Sequence, residues 1–253
     1  MPAPSVLAVY AHPDDESLVA GGILARHAAA GARTAVVTAT WAADGHRAAE
    51  LADALALLGA GKPRMLGYAD LHVPSSAPGR PPFRDAPLEE AVERVVAHVR
   101  EVRPDLIVTH DAHGSTGHPD HVHTHHVALL AAHAAGHPGL YRRAGAPWRP
   151  SALYLSAHPE SASTGLAALL AGVGKRLHTV PDEVVTASVD VRPWIDRKWA
   201  AIRAHRSEAA RSRSLPGLLG GLSASDREAV LGTEHFVRHD LVSAHRDLRE
   251  LTV

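Results

Sequence analysis

The sequence predicts an α/β fold of the doubly wound, Rossmann-like kind: a mostly parallel sheet with helices on both faces and a smaller C-terminal extension. Three observations lead there. Short apolar, β-branched runs alternate with longer stretches of helical periodicity up to about Ala135. The connections between most of them are short, and the helical stretches end at glycine or just before proline.

Ser5–Tyr10 reads as the first strand, and Glu16–Ala30 as a helix closed by Gly31. Arg33–Thr40 is a second strand, and Arg47–Leu58 a helix ending at Gly59. Arg64–Gly67 is a weaker strand. Leu88–Val102 is an amphipathic helix that Pro104 stops, since proline lacks the amide proton and clashes with the preceding turn. Asp105–Thr109 is a buried-type strand and Val122–Ala135 a helix. Beyond Gly136 the rhythm loosens. Leu153–Ser156 and Val184–Val191 read as strands, and Trp194–Ala210 as one Arg-rich helix. Leu71–Pro87, His137–Pro150 and Ser212–Ser223 are turn-rich, and the first carries five prolines. Such a loop is either a lid or an inert connector. With no clear linker, residues 1–253 read as one catalytic domain, in which 1–150 carry the motifs and 151–253 complete the site.

The chain has no cysteine and 20 histidines. Disulfides, cysteine nucleophiles, iron–sulfur clusters and thiolate zinc sites are excluded together, so any metal must be held by nitrogen and oxygen. With 26 basic against 27 acidic side chains, there is no excess positive charge for a nucleic-acid backbone or an anionic membrane surface. No apolar run is long enough to span a bilayer, so no membrane insertion is expected. The N-terminal MPAPSVLAVYAHPDDE lacks a basic leader and runs into charge rather than a small-residue cleavage site, which gives a cytoplasmic expectation.

Two motifs carry chemistry. His12-Pro13-Asp14-Asp15-Glu16 follows the first strand directly. In doubly wound sheets the functional crevice lies beyond the carboxyl ends of the strands. A simple helix cap needs one carboxylate, not three in a row after a histidine. Gly117-His118-Pro119-Asp120-His121 follows the strand DLIVT and adds two imidazoles and a carboxylate at the same edge. Together they offer two nitrogens and an oxygen for a metal, with groups left for proton transfer. That is the make-up of a catalytic zinc site with an open position for water.

AHPDDE after an N-terminal strand, with HPDH about a hundred residues on, resembles the LmbE-like or PIG-L family of zinc-dependent N-acetylglucosaminyl de-N-acetylases, which includes mycothiol-pathway deacetylases. Further matches are Arg47 with Glu50-Leu51, Leu66-Gly67-Tyr68-Ala69-Asp70, and Lys198, Ala201 and His205-Arg206-Ser207. The resemblance implies His12, Asp15 and His121 as metal ligands, and Asp14 as the general base for the attacking water. His118 would stabilise the oxyanion as an imidazolium, with Asp120 holding that ring. Arg47, Asp70 and His205 would bind substrate. Zinc is the implied metal, with Fe²⁺ or another divalent ion compatible with the ligands. The implied reaction removes an N-acetyl or similar acyl group from an amino-sugar small molecule, and a homo-oligomer is left open. Three departures concern the substrate: Thr116 where relatives often carry tyrosine, Trp41-Ala42-Ala43-Asp44-Gly45 where a Gly-Glu pair is common, and Glu208 for glutamine.

Plainer readings stand beside these. Arg47 at a helix start is equally placed to pair with Glu50, Asp70 to be a turn residue, and His205 to lie on a solvated face. His121 and His125, one helical turn apart, form an alternative metal pair. Two other functions remain: an amidase acting on a larger thiol- or glycoside-conjugated substrate, and a non-catalytic metal-binding protein using the His-rich stretch His110–His137.

Overall fold

The apolar runs of the N-terminal half pair in parallel at the centre of the molecule. In the computed structural model, which describes residues 3–242, Val6–Tyr10 (β1) lies between Thr34–Thr40 (β2) and Leu106–Thr109 (β4). Arg64–Tyr68 (β3) flanks β2, and Ala152–Ala157 (β5) flanks β4, all parallel. Two later strands, Ala187–Asp190 (β6) and Thr233–Asp240 (β7), extend the sheet in the order β3-β2-β1-β4-β5-β7-β6. Only β7 runs against its neighbours. This is the expected mostly parallel α/β sheet, its C-terminal extension joined edge to edge.

Alternation along β1 divides the core. Val6, Ala8 and Tyr10 face Asp15–Ala29 (α1), His46–Leu58 (α2) and Ile195–Ala204 (α7); Leu7 and Val9 face Leu88–Val102 (α3) and Pro119–Ala134 (α5). Because both faces are covered, the strand shows no polar alternation in sequence. Gly31 and Gly59 follow α1 and α2 at φ 78° and 75°, conformations that favour glycine. Shorter helical pieces are Gly114–Gly117 (α4), Thr164–Ala171 (α6), Arg206–Ala209 (α8), Leu215–Gly220 (α9) and Ala224–Leu231 (α10). Among the described residues, no helix is long and apolar enough to cross a membrane.

Several expectations needed correction. Helix α5 begins at Pro119 rather than Val122: His118 is its N-cap, its ring accepting the Asp120 amide, and Pro119 takes the favoured first position. The HPDH motif is therefore the first turn of a helix. The Arg-rich helix expected over Trp194–Ala210 starts at Ile195 and breaks at His205 (φ −77°, ψ 66°), whose ring turns inward. Only Ala187–Asp190 of the expected strand Val184–Val191 pairs, because Pro181 starts a 3-10 turn over Asp182–Val184. Helix α9 lies inside a stretch expected to be all turn, started by Ser214 and Pro216. Strand β7 carries no apolar strand signal, because its sequence, TEHFVRHD, is mostly polar.

Candidate metal centre

The two motifs meet because β1 and β4 are neighbours. The chain leaves β1 at Tyr10, turns through His12-Pro13-Asp14 and enters α1 at Asp15, whose carboxylate accepts the His12 amide at 2.8 Å. It leaves β4 at Thr109 and passes through α4 to His118 and α5. His12 Nδ1 lies 3.0 Å from His121 Nε2 and 3.4 Å from an Asp15 oxygen, and His121 Nε2 is 3.4 Å from the other. Tetrahedral zinc with bonds of about 2.0–2.1 Å needs donors roughly 3.3 Å apart, so these atoms fit it.

Outer contacts set the tautomers. His121 Nδ1 donates to the Gly114 carbonyl (3.2 Å), which leaves its Nε2 lone pair for a metal. His12 Nε2 faces carboxylate oxygens of Asp120 (3.3 Å) and Asp70 (3.5 Å), which leaves its Nδ1 free. Burial opposes a charge on His12, but hydrogen bonds to Asp120 and Asp15 outweigh it and push its pKa up to about 10. Metal binding therefore displaces a proton. Burial keeps His121 well below its ordinary value. Burial alone would raise Asp15, yet His121 and His110 hold it well below the usual carboxylate range.

Asp14 stands apart from this cluster. Its backbone takes φ 127°, and its carboxylate turns to Arg47 Nη2 at 3.2 Å. Burial lifts its pKa to about 7 although Arg47 pulls it down. A carboxylate poised there suits a general base. Arg47, itself buried, also binds the Pro13 carbonyl and Glu208 (3.2 Å) and lies 5.1 Å from the Trp41 ring. Glu50 instead accepts from the Ser207 amide and hydroxyl, so the Arg47–Glu50 pairing does not form.

His118 differs from its expected state. The Asp120 carboxylate does not hold its ring; it accepts the amides of Leu71 and Arg84, both at 3.0 Å, and faces His12. His118 Nδ1 accepts the Asp120 amide (3.2 Å), which puts the ring proton on Nε2. Burial and then His12 lower its pKa to about 4, so the ring is neutral rather than an imidazolium, and still a donor. Asp70 is buried behind His12 and accepts the His72 amide at 2.7 Å. His205 is wholly buried beneath the motif turn, its Nε2 2.8 Å from Glu16, rather than on a solvated face.

The sequence did not single out His110, which follows β4 directly. It is wholly buried, stacks on His121 (4.0 Å between ring centres, 11° between planes) and lies 3.3 Å from Asp15. Asp15, His110 and His121 form another compact donor group. A wholly buried His110 leaves no room beside it for substrate, whereas Asp14, His118 and His121 are partly exposed. The only advance signal was its place at the carboxyl end of a central strand. His125 turns away to the His110 carbonyl (3.0 Å), so the His121–His125 pair is not assembled. Among the described residues every compact donor group draws on this one centre, unlike a buffer with scattered sites.

The family model described as PIG-L: GlcNAc-PI de-N-acetylase matches residues 7–132, the stretch that holds both motifs. The 1D-myo-inositol 2-acetamido-2-deoxy-alpha-D-glucopyranoside deacetylase of Rhodococcus erythropolis is 36% identical over 93% of this chain and 90% of its own. That of Rhodococcus jostii is 36% identical over 96% and 94%. Among solved structures, N,N'-diacetylchitobiose deacetylase from Pyrococcus horikoshii superposes with a TM-score of 0.66 at 19% identity, covering 97% of this chain and 89% of that one. The 4-carboxy-2-hydroxymuconate hydratase from Pseudomonas putida superposes with a TM-score of 0.59 at 20% identity, over 99% and 100%. A fold shared by a deacetylase and a hydratase does not choose between them. Sequence does: with relatives more than one-third identical over nine-tenths of both chains, and the family model lying across both motifs, the chain belongs to the GlcNAc-PI de-N-acetylase (PIG-L) family.

Proposed function

We propose that the protein is a metal-dependent hydrolase that removes the N-acetyl group from a 2-acetamido-2-deoxyglucoside of inositol, the compound named in its relatives' description. One observation carries the reading. His12 Nδ1, His121 Nε2 and the Asp15 carboxylate converge at 3.0–3.4 Å while the adjacent Asp14 is held out of that group on Arg47. His12, Asp15 and His121 hold the metal. Zinc suits two imidazoles and one carboxylate, and Fe²⁺ is the nearest competitor. A bound divalent ion supplies Lewis acidity, polarising the amide carbonyl and acidifying water.

The chain's own groups do the rest. Asp14 takes the proton of the attacking water and passes it to the departing amine. Arg47 keeps Asp14 oriented and spans to Glu208. His118 donates its Nε2 proton to the oxygen that gains charge. Asp120 and Asp70 fix the His12 ring; Arg47 and Asp70, the expected substrate-binding groups, are both buried and act on Asp14 and His12 instead. Residues from the C-terminal third reach the site, His205 through Glu16 of the motif and Glu208 through Arg47, which supports one catalytic domain over the described residues.

Acetate release from N-acetylglucosaminyl inositol tests the activity. The wild-type protein is expected to turn over and Asp14→Asn to be slower by at least about 100-fold. Metal analysis after dialysis should give about one ion per chain in both. Equal turnover by the variant would sink Asp14's role, and several ions per chain would favour metal storage.

A further inference from the structure

The connection after β3 is fastened so as to present one exposed side chain. Asp120, wholly buried, holds both its ends: one carboxylate oxygen accepts the Leu71 amide and the other the Arg84 amide, each at 3.0 Å. Within it, the Asp70 amide donates to the Ser76 hydroxyl (2.8 Å), the Ser76 carbonyl accepts the Ala42 amide (2.9 Å), and Phe83 is buried against Tyr68 and His123. These contacts make the segment an ordered platform despite its prolines.

His72 is the side chain that this platform displays. Its amide is pinned to Asp70 at 2.7 Å and its neighbour Leu71 is pinned to Asp120, yet its ring is exposed. The ring stands edge-on to His118, 4.8 Å between centres, and His118 stands edge-on to His12 at 4.7 Å. A row of three imidazoles thus leads from the proposed metal ligand, past the proposed oxyanion donor, to solvent. Among the described residues, no protein group hydrogen-bonds the His72 ring nitrogens.

An acetamide whose carbonyl sits by His12 and His118 has the remainder of the molecule pointing outward. A hexose carrying a polyol is broad enough to pass the second ring and meet the third. Imidazole offers one donor and one acceptor, which matches hydroxyls. We propose that His72 is a specificity-determining residue that hydrogen-bonds a hydroxyl of the glycoside's polyol portion, held in place by Asp70 and Asp120. The inference rests on the deacetylase reading and names a contact which that reading does not require.

The experiment compares His72→Ala, His72→Gln and His72→Phe on N-acetylglucosaminyl inositol and on free N-acetylglucosamine. For the conjugate, the alanine and phenylalanine variants should raise KM about 3- to 10-fold, the worth of one hydrogen bond, with kcat within about twofold. Glutamine should recover much of the loss. For free N-acetylglucosamine all four proteins should agree. Calorimetry with the deacetylated product, glucosaminyl inositol, should show binding to His72→Ala weaker by the same factor, with metal content unchanged. A fall in kcat at constant KM, or equal losses on both compounds, would overturn the proposal, because His72 would then only prop His118. If the wild-type protein released no acetate, the deacetylase reading would fail on its own. Equal product affinity in wild type and His72→Ala would defeat the contact in either case.

Discussion

Asp14 and Asp15 are chemically identical neighbours with opposite surroundings. The φ of 127° at Asp14 is a conformation non-glycine residues rarely adopt, and such strain costs of the order of 1–3 kcal/mol. It sends one carboxylate to Arg47 while the next meets His121. A base that also ligated a metal would lose its basicity, so under the proposed roles the strained turn keeps the two jobs apart. Arg47→Met should therefore cost more than a surface contact. With Asp14 left without its cationic partner and Glu208 held by Arg211 alone, turnover should fall at least about 10-fold and the melting temperature should drop, measured by acetate release and calorimetry. The residue types and spacing named His12, Asp14, Asp15, His118 and His121. They did not reveal that Asp120 serves His12 and two amides, because which atom a carboxylate faces depends on the path of residues 71–84.

At the level of elements, two buried charged groups join pieces distant in sequence. Arg100 on α3, 3% exposed, donates to the carbonyls of Ala134, Ala135, His137, Leu140, Tyr141 and Gly145, and so caps α5 and ties down the segment after it. Arg100→Met removes all six bonds; the Ala134, Ala135, His137 and Tyr141 carbonyls each keep a backbone amide, while those of Leu140 and Gly145 lose their donor. A loss of at least about 3 kcal/mol is expected in urea unfolding, with little change in KM, since the cap lies at the end of α5 opposite the motif. His205, at the break between α7 and α8, binds Glu16. Burial would lower its pKa, but Glu16 raises it above the ordinary 6.5. Its contribution to stability is therefore complete below about pH 6.5 and is lost as pH rises through the raised folded value. His205→Gln, which retains a donor for Glu16 without the charge, should show its largest melting deficit at pH 6 and a smaller one at pH 9. A deficit that grew with pH would contradict this sign. The apolar period revealed α1, α2 and α3 almost to the residue. The break at His205 was not visible, because a buried histidine–glutamate pair 189 positions apart overrides the local pattern.

For the whole molecule, a metal held as proposed by His12, Asp15 and His121 would tie β1–α1 to β4–α5, the centre of the sheet. A ligand that binds only the folded state stabilises it by mass action, by about 2.7 kcal/mol at a hundred times its dissociation constant. Chelation should lower the melting temperature by several degrees, and restoring one equivalent of zinc should reverse it. The parallel half of the sheet was legible because buried strands are uniformly apolar. The outer half was not, because β7 packs mainly through Phe236 and Val237 and its remaining residues are polar.

The placement of β7 also bears on how the chain is made. Among the described residues, β6 has no partner in the sheet except β7, and β7 alone covers the outer edge of β5. On the ribosome, β5 emerges well before the strand that pairs with it, and β6 has nothing to join until residues 233–240 follow. For that interval the nascent protein carries an open, apolar strand edge, a template for association with other chains. Among the described residues β7 is the last strand made, so premature termination before residue 233 should yield an aggregation-prone product even though the HPDDE and HPDH motifs have already been synthesised.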